Sequence, residues 1–323
     1  MTNLVVIGAG EHSRHNHLPA LQRYVLKHPG ELVLSALCDL RKDHVASISR
    51  QFGFKRSYVD IDEMLARESP DGCVAVTPIP ITGEVAARLI SRRIPLLMEK
   101  PPGATLKEAQ AINALVKESG VPVMVSMNRR FAPVIAFIST FAAGRRIEWV
   151  RATMLRNRRS EPEFFYGTGI HALDAMRHLA GDIGRYTTRS RQVDGTRWFT
   201  VEINFINGTR GELEVMPTCG RVLEKYELLG TDFCVEARLM GDRSGTVTSW
   251  ENGNVETTNL ALDKESPFVD NGTYGETVEF IDSIRENRTP YPSPEMVFQS
   301  VEVCEHILND AENDRQRDCD NDE

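Results

Sequence analysis

Residues 98–103 read MEKPPG and sit at the end of the apolar run RIPLLM (93–98). That run reads as a buried strand, where a lysine is costly unless it has work or a partner. Pro101 and Pro102 cannot continue a sheet ladder, so they stop the strand and fix where Lys100 aims. At the end of a strand in a doubly wound sheet that aim is the ligand crevice; the alternative is a solvated lysine at an ordinary strand end. A second candidate is His171, at the start of the helical segment GIHALDAMRHLAG (169–181). An imidazole, with its unperturbed pKa of about 6.5, can take up or give a proton near neutral pH. The alternative is a structural histidine. His171, Asp174 and His178 also recur at i, i+3 and i+7 on one helical face, which imitates a set of metal ligands.

A third group could hold a nucleotide. The junction VVIGAGEHSRHNHLPAL gives G-x-G-x-x-S at Gly8, Gly10 and Ser13, and the next strand ends in Asp39. Gly8 permits the tight turn, Gly10 lets backbone approach a pyrophosphate, and Ser13 is small enough for close helix–strand packing. The phosphates would rest on free N–H groups at the helix N-terminus, so the loop residues Glu11 and His12 are expected to face the cofactor as well. Asp39 lies beyond the usual spacing of about 20 residues because the extra KHPGE loop intervenes. Its carboxylate can accept from ribose hydroxyls and repel a 2′-phosphate, which favours NAD; Arg41 and Lys42 just behind could admit NADP. Thr77 and Pro78, at another strand end, should line the same cleft with Glu99 and Lys100. Asn128 opens the NRRF loop at a further strand end, within reach of nicotinamide or substrate.

The elements that must position these residues alternate along the first 126 residues. Apolar strands (NLVVIG, LVLSALCD, GCVAVT, IPLLME, VPVMVS) alternate with amphipathic helical segments at 18–26, 43–53, 83–93 and 106–120. This pattern predicts a parallel sheet covered on both faces. Beyond it come a helix (134–144), a strand (147–157) and the helix carrying His171. A hairpin turning at Asn207-Gly208 and two further hairpins follow, then helices over 273–287 and 293–310. The predicted domains are 1–126 and 127–310, with 311–323 a polar, acidic, disordered end.

Composition narrows the classes. With 323 residues, 41% hydrophobic and 26% charged, the chain can build about two domains. A net charge of −8 argues against a nucleic-acid surface. The sequence contains no apolar stretch of about 18 residues to span a membrane. The six cysteines (Cys38, Cys73, Cys219, Cys234, Cys304, Cys319) are scattered without a CxxC, as expected of reduced thiols. With no secretory leader recognised in MTNLVVIGAG, a cytoplasmic protein is expected.

Taken in order, GAGEHSRHNHLPAL, CDLR, VAVTPIP, MEKPPGATLKEA, VSMNRRFAP and GTGIHALDAMRHLAG resemble the Gfo/Idh/MocA oxidoreductases (glucose–fructose oxidoreductase, inositol dehydrogenase and relatives). The resemblance covers the whole chain, is strongest over 4–182, and is most specific at Glu99-Lys100-Pro101. It implies an α/β protein: a Rossmann domain with a doubly wound parallel sheet, then an α/β domain built on a large, mostly antiparallel sheet. It further implies an NAD(P)-dependent enzyme acting on CH–OH groups of a sugar, cyclitol or other polyol held between the domains. Lys100 would bind substrate and polarise the reacting oxygen, His171 would be the acid/base, and Asp174 would support without any metal. The sheet's exposed face implies a homo-oligomer, dimer or tetramer.

One position departs from the pattern. Four residues before His171, where the family carries an aspartate, stands Gly167. Tyr166 could supply a hydroxyl there, the reaction could tolerate the loss, or the protein could be a redox-silent NAD-binding sensor. NAD-assisted elimination or hydrolysis of a glycoside is a further alternative. Finally, Arg145, Arg146, Arg151, Arg156, Arg158 and Arg159 cluster on and around the strand at 147–157. Strand alternation would put Arg156 and Arg158 on one face, where guanidinium forks suit an anionic substrate. The alternative is a solvated charged face.

Overall fold

Short, buried, mostly aliphatic runs make five strands of the first sheet, β1 (Thr2–Ile7), β2 (Leu32–Cys38), β4 (Gly72–Ala75), β5 (Leu96–Met98) and β6 (Val123–Val125), and the polar β3 (Arg56–Tyr58) forms one edge. All pairs are parallel, in the order β3-β2-β1-β4-β5-β6, with the switch point between β1 and β4. The computed structural model describes residues 1–260 and 266–321, the stretch 312–321 as backbone only. It divides into two units, Met1–Asn128 with Pro267–Phe298, and Arg129–Ser266 with the chain from Gln299 onward.

The crossovers of the first unit are α1 (Leu18–Lys27), α2 (Lys42–Phe52), α3 (Ile61–Glu68), α4 (Ile79–Ser91) and α5 (Leu106–Ser119). Their ends follow local chemistry. Asp60 and Thr105 accept the N–H of Glu63 and Glu108 as N-caps, while Gly53 and Gly120 take left-handed φ at C-termini. Neither β3 nor α3 is among the elements expected from sequence. RSY is too short and polar to stand out, and the Asp60/Glu63 cap is the one local signal for α3.

In the second unit, α6 (Pro133–Ala142) leads into β7 (Ile147–Leu155), and α7 (Ile170–Ala180) into β8 (Ile183–Val193), β9 (Thr196–Phe205) and β10 (Arg210–Met216). Then come β11 (Leu223–Gly230), β12 (Phe233–Met240), β13 (Thr246–Glu251) and β14 (Asn254–Asn259). The sheet order is β14-β13-β12-β11-β7-β10-β9-β8, and only the β7–β10 pair is parallel. Gly208, at φ +90°, turns the β9–β10 hairpin as its Asn-Gly pair predicts. Gly211 is glycine because a Cβ there would lie 2.6 Å from the Val150 carbonyl oxygen across the β7–β10 pair.

Two expectations need correction. The segment α8 (Pro267–Asp270), α9 (Thr273–Arg285) and the start of α10 (Pro294–Asn321) returns to the first unit, so 127–310 is not one domain. A Cβ on Gly72 would fall 2.5 Å from Ile284 Cδ1, Ser126 donates to Glu276, and Val125 donates to the Pro292 carbonyl. An amphipathic pattern reveals that a helix has an apolar face but not which sheet receives it. The end predicted to be disordered is instead helical as far as Asn321. Once α10 is nucleated, each added residue gains a hydrogen bond, and 311–321 holds no Pro or Gly to stop it. No helix among the described residues is long and apolar enough to cross a membrane.

Candidate active site

Parallel register lays the candidates of the first unit in a row. Cys38, Ile7, Ala75, Met98 and Val125 are successive partners across β2-β1-β4-β5-β6. The next residue on each strand is therefore Asp39, Gly8, Val76, Glu99 and Ser126, all at carboxyl ends, where open α/β sheets bind ligands. Gly8 has φ +99°, and a Cβ on it would sit 2.1 Å from the Val76 carbonyl oxygen, so no other residue fits. Gly10 is the converse: nothing lies within 4 Å of a Cβ built there, which leaves its backbone open to a ligand. Helical backbone begins at Glu11, and Arg14 donates to the Gly10 carbonyl, so the first N–H groups of that helix have no carbonyl one turn back. Ser13 is fully buried, as close packing of this turn demands.

Beside these glycines lies a cavity of about 470 Å³ lined by Gly8, Gly10, Asp39, Arg41, Thr77 and Pro78. Leu40, Val59, Ile61 and Ile81 supply an apolar wall, with Leu40 88% exposed. Sequence reasoning missed these four; a leucine placed directly after a strand-end acid was the available signal. Asp39 is not a bare carboxylate. Its Oδ2 accepts the Ala9 N–H (2.9 Å) and Arg41 Nη2 (3.2 Å), while Oδ1 accepts the Arg41 N–H (3.1 Å) and Nε (3.0 Å). Burial raises its pKa, but Arg41 and the Ala9 N–H outweigh this and hold the carboxyl below its ordinary value. His44 Nε2 also meets the Ala9 carbonyl at 2.8 Å, so the glycine loop is tied down from β2 and α2.

Glu99 and Lys100 directly follow β5. Glu99 is buried, and its Oε1 lies 2.7 Å from His17 Nε2 and 3.1 Å from His12 Nε2. Burial pushes its pKa up, but the two imidazoles prevail and hold the carboxyl well below the usual range. His12, His17 and Glu99 form the one trio, among the described residues, whose possible metal-ligand atoms all converge within 4.8 Å. Lys100 is half-buried. Asn128 is buried and donates to Thr273 Oγ1. Thr77 Oγ1 pairs with Thr82 Oγ1 (3.0 Å), and Pro78 precedes the first turn of α4.

In the second unit, a π-helical turn over Phe165–Gly169 delivers His171 to the start of α7, where it is buried. Insertions of this kind recur at functional sites. Tyr166 and Gly167 are buried in that turn, and the Phe165 ring packs tilted against Phe199. Asp174 receives a two-pronged pair from Arg130 (2.7 and 2.8 Å) and the Ser300 hydroxyl, so it does not form a ligand set with His171 and His178. Burial and the Arg130 charge depress the His178 pKa.

The arginine fork expected at Arg156 and Arg158 is not formed. β7 ends at Leu155, and Arg158 is an exposed turn residue at φ +55°, so strand alternation no longer relates the two. Arg156 is buried; it donates to the carbonyls of Leu155 and Leu223 and to Glu224. Glu224 also accepts from Arg129 (3.0 and 3.2 Å) and the Tyr226 hydroxyl (2.9 Å). Against the upward push of burial, Arg129 and Arg156 lower its pKa to about 2. Arg156 is a core residue, because a buried carboxylate one strand away claimed it.

Comparison with known proteins agrees with this geometry. A family described as "Oxidoreductase family, NAD-binding Rossmann fold" matches residues 2–127, and its partner, "Oxidoreductase family, C-terminal alpha/beta domain", matches 138–317. A D-apiose dehydrogenase from Paraburkholderia graminis is 30% identical over 211 residues, 58% of this chain and 52% of that protein. The match thus spans about half the length of that curated relative. A dehydrogenase structure from Chromobacterium violaceum superposes with TM-score 0.88 at 18% identity, covering 99% of this chain and 98% of that one. A levoglucosan dehydrogenase in complex with NADH gives 0.82 at 19% identity over 97% of each chain. The glycine turn, the strand-end acid, the Glu-Lys-Pro stop and the two matched modules together make this chain a member of the Gfo/Idh/MocA oxidoreductase family.

Proposed function

We propose that this protein is an NAD-dependent dehydrogenase of a neutral polyol, a sugar or cyclitol. The observation that carries the reading is the row of strand ends that sets the Gly8–Gly10 turn and Asp39 beside Glu99-Lys100. Gly8, Gly10, Glu11, His12 and Ser13 would hold the pyrophosphate, with Asp39 at the ribose and Thr77 and Pro78 along the cleft. Bound nicotinamide supplies the hydride acceptor or donor. Lys100 carries a charge that stabilises developing negative charge on a substrate oxygen, and His171 moves the hydroxyl proton. Asn128 and Tyr166 orient the substrate. The names of the apiose and levoglucosan dehydrogenases support a polyhydroxylated substrate. A neutral one is favoured because Arg156, half of the anion fork, is committed to Glu224. A homo-oligomer built on the outer face of the β7–β14 sheet belongs to the same proposal.

The test is absorbance at 340 nm with NAD or NADP and a panel of sugars, cyclitols and sugar acids. Turnover of a neutral polyol is expected, and Lys100→Met should abolish it while NAD binding by calorimetry stays intact. Loss of NAD binding in that variant would mean the lysine is assigned the wrong task. Binding without turnover across the panel would favour the redox-silent sensor, with Gly167 as the reason. Bound NAD that shows no net change during glycoside cleavage would point to the elimination chemistry instead.

A further inference from the structure

The trio His12, His17 and Glu99 has the composition of a metal site, but the hydrogen bonds behind it argue for another role. The Thr273 backbone N–H, which can only donate, meets Asn271 Oδ1 at 3.0 Å, and the Thr273 hydroxyl meets the same oxygen at 2.8 Å. That fixes the Asn271 amide, so its Nδ2 donates to Asn16 Oδ1 (2.8 Å). The Asn16 Nδ2 must then face His12, where it reaches both the backbone carbonyl (3.2 Å) and Nδ1 (3.3 Å). The carbonyl can only accept, which fixes this amide a second time. His12 Nδ1 is therefore an acceptor, its proton sits on Nε2, and that N–H donates to Glu99 Oε1 beside the one from His17.

We infer that Asn271 and Asn16 are positioning residues: they set the His12 tautomer that, with His17, locks the Glu99 carboxylate and so fixes the backbone from which Lys100 projects. The inference rests on the proposed role of Lys100 for its effect on turnover, but not for the tautomer itself. Glu99 directly precedes Lys100, so a Glu99 carboxylate held by two imidazoles and a Glu99 N–H bonded to the Ala75 carbonyl (3.1 Å) together fix the backbone from which Lys100 leaves. Asn128 donates to the Thr273 hydroxyl, which ties a second candidate ligand contact to the same chain. With protons on both Nε2 atoms, the two imidazoles direct their donors at the Glu99 carboxylate.

The experiment compares Asn271→Asp and Asn271→Ser, with the full chain labelled with 15N at histidine. Aspartate keeps an oxygen for Thr273 but presents another to Asn16. A charge-assisted bond from the Asn16 amide to that carboxylate outweighs its 3.2 Å bond to the His12 carbonyl, so the amide turns over, its oxygen faces His12 Nδ1, and the proton is drawn there. Serine removes the link without that reversal, leaving Asn16 held by the His12 carbonyl. The expected result is a His12 15N pattern switched from the Nε2–H form in the Asp variant and retained in the Ser variant. With it, kcat should fall about 10- to 100-fold for Asp and far less for Ser, since small misplacements of a reacting group carry penalties of that size. The NAD dissociation constant of Asn271→Ser should match that of the unmodified protein. An unswitched tautomer in Asn271→Asp overturns the chain. A switched tautomer with wild-type kcat, or equal losses in the two variants, overturns its bearing on Lys100. If the unmodified protein turns over no polyol, the nitrogen spectra still decide the chain, and the failure belongs to the proposed function.

Discussion

Asp39 and Glu224 are two carboxylates with the same apparent satisfaction and opposite freedom. Each has about four lone-pair sites, and each has four donors: Ala9 and Arg41 around Asp39, Arg129, Arg156 and Tyr226 around Glu224. The difference is water. The Arg41 side chain is 60% exposed and can swing off Asp39 at little cost, whereas Arg129 and Arg156 are each only 8% exposed around a Glu224 sealed from solvent. Identical chemistry therefore yields a displaceable cover at a ligand cavity in one unit and a fixed internal strut in the other. Counting an arginine as a ligand fork requires knowing whether its present partner can be released.

That contrast can be broken most severely at the strut. Arg156→Met should destabilise the protein by about 3–5 kcal/mol, because it leaves part of a buried charge uncompensated. A urea titration measures it, and KM for the substrate should hold. A raised KM at unchanged stability would instead restore Arg156 as an anion contact.

Acid titration sharpens the same point. Glu224 has its pKa lowered from 4.5 to about 2, so its contribution is fully present above pH 4.5 and is lost as pH falls toward 2. The stability lost in that window is on the order of 3 kcal/mol. Glu224→Gln should be less stable at neutral pH and should lack that part of the acid loss. An unaltered acid profile in the variant would show that other carboxylates govern it.

The smallest effect is expected at the cover. Arg41→Ala should leave the denaturation midpoint where it is, since an exposed pair adds little. It frees lone pairs on Asp39 for the ribose hydroxyls and removes a cation that could meet a 2′-phosphate. The ratio of NADP to NAD dissociation constants, read by calorimetry, should therefore rise, by less than about tenfold. A falling ratio would mean that Arg41 serves NAD.

Much of the first unit was legible because its information is local. Gly8 needs its left-handed turn, Asp39 and Lys100 follow apolar runs, and five of the six parallel strands stand out as aliphatic segments. His171 could be found at its helix start for the same reason. The arginines could not be sorted this way, because Arg156 is claimed by Glu224, 68 residues away in sequence. Nor could Asn16 be singled out as a partner of Asn271, 255 residues on, since neither carries a local pattern.

The sequence by itself determined every parallel strand but β3 and every crossover helix but α3, the glycine turn, the strand-end acid and lysine, and with them the family. Spacing and burial period act between near neighbours and are written in the chain. Only the tertiary structure decided that Pro267–Phe298 packs with the first unit, that Arg156 is a core residue, and that His12 is held as one tautomer. Those outcomes depend on which distant donor reaches a given acceptor first, and once a carboxylate's lone pairs are filled by one partner they are closed to the rest.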